Sequence, residues 1–210
     1  MTAQPPPLRL TTGPGPEYVP AGEPRRGLFA ADPVRYTISA PGLQRAVLTA
    51  CSRTVRPGDE LVWAVFPESD PQARTDPAVD VERLFLATGV GLDLVLDDGS
   101  RLSDTPASDQ HGVGIGPAEQ AASKTAVIDQ WNLRRVRLDA VAGRTVTAVE
   151  VVTQAAAGTG WIELVGIGDP AEGPLGLITA GDGSLAGRAL TTRGSHSTNQ
   201  LSRGLTDACL

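Results

Sequence analysis

The sequence predicts an all-β protein, an antiparallel β-sandwich of jelly-roll-like type. Three observations carry that prediction. Short apolar stretches alternate with period two, and turn signals separate them roughly every eight to twelve residues. With 24 glycines and 17 prolines in 210 residues, the chain is punctuated for turns rather than for long helices. No convincing amphipathic helix interrupts the pattern. The one helical candidate, 117–124 (PAEQAASK), has proline at a helix-start position and allows two turns at most.

Taken in order, residues 1–30 are rich in proline and glycine and read as a flexible arm. Strands are expected at 36–38 and 45–51, the second closed by the turn Arg56-Pro57-Gly58-Asp59. In 60–66, Leu61, Trp63 and Val65 alternate with Val62, Ala64 and Phe66. Both faces are apolar, which suits a central strand, and Pro67 stops it. An acidic, proline-punctuated loop follows over 68–79.

Segments 81–86 and 88–96 read as one long strand or two, interrupted near Gly89 and Gly91. Leu92, Leu94 and Leu96 form one apolar face, and Asp98-Gly99 is a tight-turn signal. A polar loop fills 98–125. Strands are then expected at 126–131, 133–138, 146–152 and 160–167. The 133–138 stretch alternates less cleanly, because arginines fall on both sides. The sandwich is therefore expected over 31–168, a linker over 169–186, and a tail over 187–210 with an entry strand near 189–192.

Composition excludes several function classes. At 40% hydrophobic and 4% aromatic residues the chain can bury a core but has few large anchors. A net charge of −6 disfavours nucleic acid, whose phosphates it would repel. No run of 18 apolar residues is present, so no membrane span is expected. Two cysteines, Cys51 and Cys209, exclude a disulfide-rich scaffold and a thiolate metal cluster. Cys51 follows an apolar run and reads as a small buried hydrophobe, Cys209 as exposed on the tail. Whether they pair stays open. Residues 1–27 lack the basic, apolar and small-residue series of a secretory signal.

The motifs DDGSRLSD, ASDQHG, QAASK and DQWN occur in this order, with ELVWAVFPE at 60–68, Trp161-Ile162, and TTRGSHSTNQLSRG at 191–204. As a set they resemble a β-sandwich module that precedes the catalytic region of secreted actinobacterial glycoside hydrolase family 92 proteins, the α-mannosidases. The resemblance implies a galactose-binding-like sandwich and an accessory, non-catalytic role. It also implies export. The family's acid, base and calcium ligands lie downstream of Gly204, so no catalytic residue carries over and no cofactor is expected in this chain. The tail 187–210 looks like the start of the missing catalytic core. The implied partners are a glycan or that mannosidase core. The alternatives are a free-standing carbohydrate-binding protein and a structural remnant of a truncated gene.

Sugar sites combine an aromatic face for the ring with planar polar groups for its hydroxyls. Trp131 beside Gln130 and Asn132, with Asp109, Gln110 and His111 in the preceding loop, fits that description. The competing and preferred reading buries Trp131 and spends Gln130 and Asn132 on backbone groups. Trp63 and Trp161 sit inside strands and read as core. Asp109 to Gly112 is expected as a hydrogen-bonded loop, with His111 on a backbone carbonyl and Asp104 capping a turn. A structural calcium within 93–109 is the lesser alternative. His111 and His196 are too few for zinc. GVGIG at 112–116 lacks phosphate-loop spacing, and Ser195-His196-Ser197 is no triad.

Overall fold

Period-two alternation puts one face of a strand on a shared core, and the computed structural model of the chain builds its strands between residues 8 and 168 that way. It describes residues 8–21, 33–71, 74, 89–123, 125–154, 157–170 and 176–177. The strands are β1 (Leu8–Thr12), β2 (Val34–Ile38), β3 (Gln44–Thr54), β4 (Glu60–Pro67), β5 (Val90–Leu96), β6 (Asn132–Arg137), β7 (Thr145–Thr153), β8 (Gly158–Gly168) and β9 (Gly176–Leu177). One short helix, α1 (Pro117–Ser123), matches the helical candidate.

Two antiparallel sheets face each other. The first runs β1-β2-β8-β4-β6 with β9 added to the end of β8, and the second runs β3-β7-β5. From β2 to β8 successive strands change sheet each time, as a jelly-roll-like winding does. Leu61, Trp63 and Val65 of β4 meet Leu92, Leu94 and Leu96 of β5 and Val146, Val149 and Val151 of β7 in one cluster. Each such side chain, fully buried, contributes about 1.5–3 kcal/mol relative to exposure. As its two apolar faces predict, β4 is interior, between β8 and β6. Its outer face is buried too, with Phe66 edge-on to Trp131 at 5.4 Å between ring centroids.

Three expectations are corrected. The arm drawn over 1–30 is not all arm, because Leu8–Thr12 pairs with β2 and Leu8 enters the core. The motif LRLTT alternates by itself, and its prolines flank the strand without entering it. Residues 126–131 form bends and turns rather than a strand. Asp129 there has a φ of 57°, which breaks the extended run. The sandwich also continues past 168, since Gly176–Leu177 of the expected linker pairs with Gly166 and Ile167. The expected strand at 81–86, the entry strand, the tail 187–210 and Cys209 lie outside the described residues.

Gly160 is fixed by packing. The buried Tyr36 hydroxyl lies where a Cβ on Gly160 would project. Cys51 is free, half-buried and packed against the core, and burial pushes its thiol pKa up.

Candidate functional site

The long loop after β5 is pinned to the sandwich residue by residue. At the Asp98-Gly99 turn, Gly99 takes a φ of 83°, a conformation suited to glycine. The Asp98 carboxylate accepts from the Ser100 backbone N–H at 2.9 Å and the Ser100 hydroxyl at 2.6 Å. These bonds, with Arg144 beside them, draw its pKa down to about 2. On the outer face of the second sheet, Asp93 stands directly opposite Glu150, a like-charge pair that would repel. Arg45 contacts both, at 2.8 and 3.6 Å, and Arg101 reaches Glu150 at 3.1 Å. Ser103 donates its N–H and hydroxyl to Asp93. Leu102 then plugs into the core, and Asp104 caps the turn by accepting from the Arg101 N–H at 2.8 Å.

Asp109 organises the next stretch. Its Oδ1 accepts from the backbone N–H groups of His111 (2.9 Å) and Val113 (3.0 Å). Its Oδ2 accepts from Gln120 Nε2 of α1 at 3.1 Å. Arg134, buried on the inner face of β6, lies 3.9 Å from the same oxygen and donates to Thr125 Oγ1 at 3.0 Å. Burial lowers the Arg134 pKa, and Asp109 offsets part of that.

Gln110 uses its amide as a strand would. Its Nε2 donates to Leu133 O at 2.8 Å, and its Oε1 accepts from Arg135 N at 2.8 Å. This covers the edge of β6, which would otherwise expose unpaired backbone groups. The loop is thereby held off the sheet face, and an open cleft of about 360 Å³ forms between them. Pro106, Ala107, Ser108 and Gln110 line one side, and Glu60, Arg135, Arg137 and Ala140 line the other.

Of the six predicted site residues, Asp109 and Gln110 line this cleft, although the Asp109 carboxylate is turned inward. His111 is exposed, and its imidazole makes no hydrogen bond among the described residues. The expected bond to a backbone carbonyl is absent among the described residues. Trp131 is 2% exposed and packed on Phe66, with its indole N–H lacking an acceptor among the described residues. Asn132 closes the bend before β6: Oδ1 accepts from Val127 N, and Nδ2 donates to the carbonyls of Val65, Val127 and Gln130. Gln130 is half-buried. The preceding Asp129 accepts from Ser69 and Arg74. Gln110 bonds to β6, the strand that DQWN enters, at Leu133 and Arg135 and not at DQWN itself.

Sequence inspection missed Glu60, Ser108, Arg135 and Arg137. The signal was there in 133–138, where arginines spoil an apolar alternation. Among the described residues no group of three or more His, Cys, Asp or Glu is placed to hold a metal ion.

The chain matches no family model, and no curated protein matches it. Among solved structures it is similar to the glycoside hydrolase domain of Endo-D from Streptococcus pneumoniae R6, at 12% identity and a TM-score of 0.38. That match covers 68% of this chain and 19% of the other.

Proposed function

We propose that this chain is a non-catalytic β-sandwich module that binds glycan in the β6 cleft and serves an α-mannosidase-type glycoside hydrolase. The cleft is the observation that carries the glycan part. It sets two guanidinium groups, a carboxylate and a hydroxyl among the apolar side chains of Pro106, Ala107 and Ala140. Planar polar groups of this kind suit hydroxyl recognition. The α-mannosidase part rests on the ordered motif set and on nothing in the geometry.

A binding role fits better than a cutting one. Inverting glycosidases need two carboxylates about 6.5–9.5 Å apart around the sugar. Among the described residues Glu60 is the only lining carboxylate that keeps an oxygen free of hydrogen bonds, since Asp109 spends its oxygens on His111, Val113 and Gln120. Trp131 and Asn132, as buried parts of the scaffold, act in this account by shaping the start of β6 rather than by touching sugar.

A glycan array probed with the intact chain tests the proposal. Retention of α-mannosides, unchanged by a calcium chelator, is the expected result. An array without any retained glycan, or purified chain that releases mannose alone, contradicts it.

A further inference from the structure

We infer that the cleft takes a neutral sugar with adjacent hydroxyl groups, read by the Glu60–Arg135 pair. This deepens the glycan proposal and rests on it. Glu60 opens β4 and Arg135 projects from β6 on the same outer face, two residues along the ladder from Glu60's partner Arg137. Arg135 Nε donates to Glu60 Oε2 at 2.8 Å, and Nη2 lies 2.8 Å from the same oxygen as an ion-pair contact. Glu60 Oε1 and Arg135 Nη1 make no hydrogen bond among the described residues. The two side chains keep 17% and 21% exposure respectively.

Both side chains line the cleft, and their pairing leaves one carboxylate oxygen and one guanidinium nitrogen without a hydrogen bond among the described residues. A hydroxyl both donates and accepts, so two adjacent hydroxyls on one ring complement this pairing. Because the side chains already restrain each other, little rotamer freedom remains to be lost on binding.

Charge argues for a neutral ligand. Arg137 is matched by Asp139 at 2.8 Å and Arg135 by Glu60. An acidic sugar would have to displace a carboxylate already in place. Size agrees, since about 360 Å³ sits near the low end of the roughly 300–1,000 Å³ of small-ligand pockets, enough for one or two sugar rings.

Titration calorimetry with the intact chain distinguishes the possibilities. The probes are methyl α-mannopyranoside, its 2-, 3- and 4-deoxy analogues, and the corresponding uronate. Wild type is expected to bind the parent glycoside, to lose affinity for two deoxy analogues at neighbouring positions, and to bind the uronate no more tightly. Glu60→Gln and Arg135→Met are each expected to weaken the parent by about tenfold or more, with the melting temperature recorded beside each. Ser108→Trp, at an exposed lining position, fills the cleft without touching the ion pair and is expected to abolish binding. Unchanged affinity in Glu60→Gln and Arg135→Met, persistent binding by Ser108→Trp, or tighter binding of the uronate overturns the inference while leaving glycan binding intact. Failure of wild type to bind any of the glycosides overturns the glycan proposal itself.

Discussion

Single side chains carry the loop geometry, and Asp109 carries the most. Its carboxylate holds two backbone N–H groups and the Gln120 amide, and it lies 3.9 Å from the buried Arg134 guanidinium. Asp109→Ala leaves that guanidinium without its counter-charge and the His111 and Val113 N–H groups without this acceptor, while Gln120 Nε2 keeps Gly114 O. The expected cost is about 3 kcal/mol in urea unfolding, and a loss under about 1 kcal/mol would show that the cluster is dispensable. Asp98 supplies a pH prediction. The Ser100 bonds and then Arg144 hold its carboxyl at about 2, below the ordinary 3.8. A depressed carboxylate stabilises the fold above its ordinary pKa, and the contribution fades as pH falls from about 4 towards 2. Ser100→Ala should move the Asp98 titration, followed by NMR, back towards 3.8. An Asp98 that titrates at the ordinary value in wild type rules out this arrangement. Residue-scale chemistry was only partly legible in the sequence. Asp109 and Gln110 stood out because polar residues crowd one loop. Glu60 and Arg135 did not, because strand register and not local sequence brings them together.

Elements were the most legible scale wherever alternation was clean. Leu92, Leu94 and Leu96, or Leu61, Trp63 and Val65, announce a buried strand face without help from neighbours. Legibility failed where side chains override the backbone pattern. The apolar stretch 126–131 reads as extended, yet the Asn132 amide gathers three carbonyls and one N–H and bends it into turns. β1 was hidden because the prolines around it masked a short alternation, Leu8-Arg9-Leu10-Thr11. Packing between elements yields a further test at Gly160 of β8. A Cβ there collides with the Tyr36 hydroxyl of β2 and with the Phe66 carbonyl of β4. Gly160→Ala should cost about 1–3 kcal/mol from overpacking, and the double variant Gly160→Ala with Tyr36→Phe should recover part of it. A neutral Gly160→Ala would mean that β2, β8 and β4 do not meet as described.

At the scale of the whole molecule, two sheets bury one core, and a loop latched across the β6 edge leaves a polar cleft on the outer face. Among the described residues no helix is long and apolar enough to cross a membrane. The sandwich was legible because burying one face per strand is a property of sequence period alone. The cleft was not, because it exists only once the loop folds over an edge strand. NMR shift mapping of the intact chain with methyl α-mannopyranoside tests the central claim most directly. Saturable amide shifts are expected to be confined to Glu60, 107–110, 135–137 and Ala140, which line the cleft or adjoin its lining, with the Trp131 indole signal unmoved. Shifts centred on the Trp131 indole, or no shifts at saturating sugar, would contradict it.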